Sequence, residues 1–574
     1  MDAGIFFIIT GALVVAALAR WRGWPAPLLV TVVALAASFL PFVPELDIDG
    51  HLLLNLVLPP LLYSAALDVS FVSFARSLPQ IRRLGVGLVL VTTVAVGLVA
   101  WWILPSLTLP GALLLGAIVA PPDAVSAAAI GRRLGLPRRV MTVLSGESLI
   151  NDATSLTLYR VFAAVVAGAT IGLGEGIWQF LLAVAFGVGI GLVFGVVIHQ
   201  LRVRIGDPVV VGTFGLLVPF GAYAIAEHVG GSGVLAVVAM GLFVGYNSPS
   251  TSYTTRQQEA PLWLSADFLL ESFVFAYIGL QFPRVLSDLG DESVLHILLL
   301  SGVVLLVVLL VRPAFVYPAG AWGRLWQRAR LRRFERRLAS GRARGRLVRG
   351  RPGRRHPTVE QMQSRLAQPA LTWKDNAVIS WAGMRGVVTL ATALAAADLA
   401  GLDTGAGHAI VVVAYVVTIG TLLLQGLTLP GLIRVLGVAS DSEQEEDRRQ
   451  LAAVRSRSKE AGMEYLARQR AAWIDDHGEG SAAKFDAFSN RLLRMETDAD
   501  RAQSSTDAAG IPRPTYSDLE ELSRGWLQVR REVLRQERDA GKLNEEVMRE
   551  LIAAMDAEEL ALDTRGALRL PGRA

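Results

Sequence analysis

Cysteine is absent from the 574 residues. With it go disulfide frameworks, thiol nucleophiles and cysteine metal centres. Histidine is scarce, at 7, and forms no cluster suited to a transition metal. No HExxH, Walker loop or nucleophile–base pair occurs, so an enzyme reading and a bound cofactor find little support. Charge is thin as well: 18% of residues are charged and 52% hydrophobic, with mean hydropathy +0.45. That is too apolar for an ordinary soluble chain and too evenly spread for a single anchor.

What is present is a series of apolar runs. A membrane span needs about 20 mostly apolar residues. Candidates are 3–19, 27–43, 52–67, 84–104, 113–130, 140–166, 177–199, 209–228, 234–246, 262–282, 294–311, 376–397 and 408–436, about thirteen in all. The first lacks a basic leader and a cleavage site, which reads as a retained span. Loops of one parity carry Arg20/Arg22, Arg76/Arg82/Arg83, Arg132/Arg133/Arg138/Arg139, Arg202/Arg204 and Arg324 through Arg355. Loops of the other parity carry Glu45/Asp47/Asp49, Glu175, Asp288/Asp291/Glu292 and Asp403. Lys and Arg mark the cytoplasm, so the expected topology has the N-terminus outside and the C-terminus inside. The basic residues set orientation, and nucleic acid is not an expected partner.

The stretch 116–159 is unlike an ordinary pair of spans. Its first run holds Pro121, Pro122 and Asp123; its second holds Glu147, Ser148, Asn151 and Asp152. An acid costs about 2.5–3.5 kcal/mol at the centre of a span, so acids kept there signal function. Proline removes a backbone donor and clashes with the preceding turn. Two of them ahead of Asp123 should open the helix and free carbonyls beside the carboxylate. Ser148 and Asp152 are four apart and share a helix face, with Asn151 one step round. These oxygens make a hard-ligand set suited to an alkali cation or a proton.

A second interruption, Gly383-Met384-Arg385-Gly386, falls in the twelfth span. With the seventh span as connector, spans five and twelve are each fifth in a six-span half. The expected fold is therefore all-α and polytopic, with two inverted six-helix repeats and broken helices that cross, as in transporters whose ion site lies at the repeat interface. In the seventh span Gly187, Gly191 and Gly195 share one face, which suits close packing. Residues 1–436 form the expected membrane domain, containing a basic Gly/Pro-punctuated loop at 320–372 that is disordered or apposed to membrane lipids. Residues 437–574 form a polar cytoplasmic tail. There Leu543, Val547, Leu551 and Met555 recur at helical spacing and predict an amphipathic helix that docks, most simply on a partner's tail. An acidic cluster, Glu443, Glu445, Glu446 and Asp447, opens the tail.

The segments GESLINDATSLTLY (146–159) and APPDAVSAAA (120–129) resemble the Asn-Asp span and the broken-helix motif of monovalent cation:proton antiporter family one, the sodium/proton exchangers. LPPLLYSAAL (58–67), ESFVFAYIGLQF (271–282) and WAGMRGVVTLATALA (381–395) resemble further segments of that family, and the tail is similar to that of bacterial members. The resemblance implies a homodimer in the plasma (inner) membrane, with a dimer domain and a mobile six-helix core domain. It implies that Asp152 binds Na+ or a proton, that Asp123, Asn151 and Ser148 line the same site, and that Glu147 and Arg385 form a structural ion bridge. It also implies electroneutral exchange serving pH and sodium homeostasis. Some members have Glu where this chain has Ser64 and Thr where it has Pro122, which leaves the choice of cation open.

One carboxylate cannot hold a proton and a cation together, and alternating access turns that competition into exchange. Two rival readings use the same residues differently. One is a K+/H+ antiporter; the other is a non-transporting membrane sensor whose output is the tail.

Overall fold

The computed structural model describes residues 3–40, 50–170, 172–205, 207–287, 294–339, 371–397, 399–438, 441–479, 482–483, 485–487, 489 and 516–567. Among these residues there is no strand; the regular structure is helical. Glu45, Asp47, Asp49, Asp288, Asp291, Glu292 and the part of the basic loop at 340–370 lie outside the described residues. The chain divides into two compact units, 1–248 with 254–440 and 249–253 with 441–574.

The first unit begins with α1 (Ala3–Arg22), α2 (Ala26–Ala37) and α3 (Gly50–Asp68). Next come α4 (Phe71–Arg82), a π-helical stretch (Arg83–Leu88) and α5 (Val89–Ile103), which run on as one long helix. Two half-helices follow, α6 (Leu109–Val119) and α7 (Ala124–Arg133), then α8 (Arg138–Val166), α9 (Leu173–Arg204), α10 (Pro208–His228) and α11 (Gly233–Asn247). The rest are α12 (Tyr253–Ser287), α13 (Val294–Ala339), a second pair of half-helices, α14 (Trp373–Trp381) and α15 (Val387–Ala397), and α16 (Thr404–Leu436). Among the described residues eight helices are long and apolar enough to cross a membrane, and four more are shorter and apolar. Exposed Val193, Val197 and Leu310 suit a surface that faces lipid.

Both α12 and α13 outrun their apolar stretch. α12 begins at Tyr253, well before 262, and α13 continues from 294–311 to Ala339. Residues 320–339 of the expected basic loop are therefore helix. Arg, Leu and Ala are good helix formers, and extending an existing helix adds a bond for each residue fixed.

Small residues set how closely the spans approach. A Cβ at Gly116 would overlap the Thr93 carbonyl, which seats α6 on α5. One at Gly85 would lie 2.8 Å from Ile150 Cβ, so the π-helical stretch brings its backbone against α8 beside Asn151. Gly187 and Gly191 meet the backbone at Ser232 and Ala236, and Gly195 meets Phe243, so the α9 stripe packs on α11. α16 stops at Gly437, whose φ of +59° is the left-handed cap that glycine adopts without strain.

The second unit holds α17 (Asp441–His477), α18 (Tyr516–Asp539) and α19 (Glu545–Ala567). Leu543, Val547, Leu551 and Met555 are buried there with Val454, Leu527 and Leu534. The amphipathic stripe is thus satisfied inside its own chain rather than left for a partner's tail. Arg531 reinforces the pairing of α18 with α19, bonding Asp556 at 2.8 Å and Glu559 at 2.6 Å. Early in α17, Glu445 pairs with Arg449 one turn on, at 2.6 Å.

Candidate ion-binding site

The two interruptions meet. α6 ends at Val119 and α7 starts at Ala124, leaving Pro121, Pro122 and Asp123 out of helix. α14 ends at Trp381 and α15 starts at Val387, leaving Gly383, Met384, Arg385 and Gly386 out of helix. The Asp123 backbone N–H donates to the Met384 carbonyl at 2.6 Å, joining one break to the other. A Cβ at Gly386 would overlap the Asp123 carboxylate. Only a glycine leaves that space open.

Each break exposes helix ends that carry partial charge, negative at C-termini and positive at N-termini. Arg385 answers the C-terminal end of α6. Its Nε donates to the Val119 carbonyl at 3.0 Å, Nη2 donates to that of Ala120 at 3.4 Å, and Nη1 donates to that of Gly383. Its backbone N–H donates to Thr421 Oγ1 at 3.0 Å, anchoring the second break to α16. Asp123 sits at the N-terminal end of α7, where a negative charge is favoured.

Glu147 does not bridge to Arg385, contrary to the sequence expectation. Its two oxygens accept from Nη1 and Nη2 of Arg312, at 2.6 and 2.9 Å. Arg312 Nε donates to the Ile379 carbonyl at 2.9 Å. Arg312 takes the position because its planar fork matches both carboxylate oxygens, while the Arg385 donors are engaged by carbonyls. Gly383 lies against the Arg312 stem, with room for no side chain. The sequence did carry a signal: Arg312 interrupts the apolar run of α13, one residue beyond the expected end of that span.

The remaining site residues come from α8. Asn151 Nδ2 donates to the Pro122 carbonyl at 2.9 Å, a carbonyl left free by the first break. Asn151 Oδ1 is buried with no hydrogen-bond partner. One turn on, Ser155 Oγ donates to the Ala117 carbonyl at 2.7 Å and ties α8 to α6. Asp152 is 7% exposed, accepts no hydrogen bond among the described residues, and has Asp123 as its electrostatic neighbour. Ser148 lies half-buried one turn before Asp152 on the same helix. On α3, Ser64 Oγ donates to an Asp267 oxygen of α12, a contact the sequence did not indicate. Among the described residues no group of three or more His, Asp or Glu could hold a resident metal ion. The site is instead a mixed set of carboxylate, amide and hydroxyl oxygens.

Comparison with known proteins shows the family and the fold of the chain. A family model described as "Sodium/hydrogen exchanger, transmembrane" matches residues 8–435. An uncharacterised Na+/H+ exchanger of Mycobacterium bovis is 30% identical over 567 residues, covering 95% of this chain and 92% of its own. The Na+/H+ antiporter ApNhaP of Aphanothece halophytica is 28% identical over 440 residues, covering 76% and 74%. Among solved structures, the sodium proton antiporter MjNhaP1 of Methanocaldococcus jannaschii at pH 8 shares the fold with a TM-score of 0.54, at 17% identity over 75% of this chain and 98% of that one.

Proposed function

The chain belongs to the sodium/hydrogen exchanger family of transmembrane proteins, and from that membership we propose that Asp152 carries Na+ and H+ in turn across the bilayer. The activity is that of a secondary transporter exchanging Na+ for H+, not of an enzyme. The observation that supports the assignment is a contrast among buried charges. Glu147, Arg312 and Arg385 are held by partners at the breaks, whereas Asp152 is buried and accepts no hydrogen bond among the described residues. A carboxylate in that state gains from either a proton or a cation, and one occupant excludes the other.

In this reading Asp123, the unpartnered Asn151 Oδ1 and Ser148 complete the oxygen set around Na+. Hard oxygen donors suit alkali cations. The Pro122 carbonyl orients Asn151, and the Asp123–Met384 bond keeps the two breaks together while the site changes sides. Alternating access is a movement of the core helices around the site. The chain acts as a homodimer of about thirteen spans built from inverted repeats. It lies in the plasma (inner) membrane with its N-terminus outside and its tail in the cytoplasm. Exchange is electroneutral, because Asn151 adds no second titrating group beside Asp152 and Asp123 keeps its charge through the cycle. It serves pH and sodium homeostasis.

The test is exchange in proteoliposomes, read with a pH dye against imposed Na+, Li+ and K+ gradients and with a potential-sensitive dye. Na+-driven proton movement without a potential is expected. Movement driven by K+ alone would reassign the cargo, and a potential generated by Na+ would contradict electroneutrality.

A further inference from the structure

Beyond the Glu147–Arg312 pair along α13, a second group of cations pairs with no acid among the described residues. A partly open cleft of about 40 Å³ lies between the end of α4, α13 and the start of α14, lined by Gln80, Arg83, Gly320, Arg324, Gln327 and Asn376. It has room for roughly three water-sized groups, close to the bulk of one phosphate. Arg83 Nε donates to the Pro79 carbonyl at 3.0 Å and Nη1 to the Ala319 carbonyl at 2.9 Å. Arg324 Nη1 donates to the Leu371 carbonyl at 3.4 Å. Among the described residues both arginines thus meet neutral carbonyls, and the charged neighbour acting on Arg83 is another cation, Arg82. The nearby carboxylate, Asp375, is engaged in capping α14, where an oxygen accepts from the Thr372 backbone N–H at 2.7 Å.

Asn376 supplies an independent observation. It is 2% exposed, and its Nδ2 has no hydrogen-bond partner among the described residues. A buried unpaired donor costs about 1–3 kcal/mol, so an acceptor belongs there. Gly320 leaves the space open, since a Cβ on it would lie 2.8 Å from that nitrogen. Two guanidinium groups and an orphaned amide donor therefore converge on one small cleft.

The level of the cleft in the bilayer is marked by Trp322, Trp326 and Trp373, which are exposed and stand next to the cleft residues on α13 and at the start of α14. Exposed tryptophans gather where spans meet the headgroups. We propose that the cleft binds the phosphate of an anionic membrane lipid, its oxygens accepting from Arg83, Arg324 and Asn376. Arginine suits phosphate geometry, and basic pockets between spans at this level hold lipid head groups. The occupant ties α4, α13 and α14 together. α13 carries Arg312, and α14 carries the Ile379 carbonyl that Arg312 grips, so the lipid steadies the frame around the crossed breaks.

Thermal unfolding of the purified full-length protein in a nonionic detergent tests this, with added phosphatidylglycerol, phosphatidylcholine or inorganic phosphate. Phosphatidylglycerol is expected to raise Tm and phosphatidylcholine to leave it unchanged. The gain should be lost in Arg324→Gln and in Arg83→Gln/Arg324→Gln, and kept in Arg330→Gln, which removes an exposed charge from the same helix. If the double variant does not fold, Arg324→Gln decides. An equal gain with phosphatidylcholine, or a gain that survives loss of Arg324, overturns the proposal. A full gain from inorganic phosphate alone assigns the cleft to soluble phosphate and overturns the lipid as source. Transport is not measured, so either result is independent of the exchange mechanism.

Discussion

Glu147 and Arg312 are 165 residues apart in sequence and meet through two charged hydrogen bonds of 2.6 and 2.9 Å. Removing either partner leaves the other charge buried and uncompensated, which typically costs about 3–5 kcal/mol. Arg312→Ala is therefore expected to lower Tm sharply. In a double-mutant cycle, Glu147 and Arg312 should show a coupling of about 0.5–3 kcal/mol. Glu147 and Arg385 should show far less. A larger coupling to Arg385 would restore the bridge expected from sequence.

Arg385 has a different task, which its own variant can isolate. Arg385→Ala leaves the Val119, Ala120 and Gly383 carbonyls without their donor, each loss costing about 1–3 kcal/mol when the group stays dry. The variant should be less thermostable than the parent, and Arg385→Lys should recover only part of the loss, because an ammonium cannot span three carbonyls as a guanidinium does. A variant as stable as the parent that no longer binds Na+ would move Arg385 into the ion site.

The contact between Gly386 and Asp123 gives a sharper probe of site geometry. In Gly386→Ala the new Cβ must displace the Asp123 carboxylate. Exchange should fall on the order of tenfold to a hundredfold, the scale of an ångström-sized misplacement of a working group. Gly302→Ala, at a glycine with nothing within 4 Å, should be silent. Equal rates in both variants would remove Asp123 from the site.

The two breaks of this candidate site can be read in the sequence because their chemistry is local. Pro121 and Pro122 announce one break, Gly383 and Gly386 the other, and acids at membrane depth stand out against apolar neighbours. What sequence cannot supply is pairing across the chain. Two arginines, Arg312 and Arg385, each lay within reach of a buried acid in principle, and only the fold decides which guanidinium faces Glu147. The Ser64–Asp267 bond was hidden for the same reason. The length of α13 was misjudged because hydropathy reports where lipid ends, whereas helix propensity continues through arginine and leucine into residues 320–339. In the tail, periodicity gave the apolar stripe of α19 but not its cover, which α17 and α18 of the same chain provide.

The tail should modulate exchange rather than perform it. The proposed ion-site residues all precede Gly437, and the tail buries its own core around Leu534 and Met548. Truncation after Gly437 is expected to keep Na+-driven exchange while shifting its pH dependence. A truncated protein with the parent's rate and pH profile would leave the tail without a regulatory role. Lost exchange in a folded truncated protein, with Asp152 dispensable in the full chain, would favour a sensor.

The role of Asp152 is tested most directly by Asp152→Asn in proteoliposomes, with proton movement followed after a Na+ gradient is imposed. An amide of nearly the same shape keeps the packing of α8 but can neither gain a proton nor supply a negative charge. The variant should purify as a folded protein with the parent's oligomeric state and show no Na+-driven proton movement. Exchange at the parent's rate would contradict the assignment of Asp152 as the carrier of both ions.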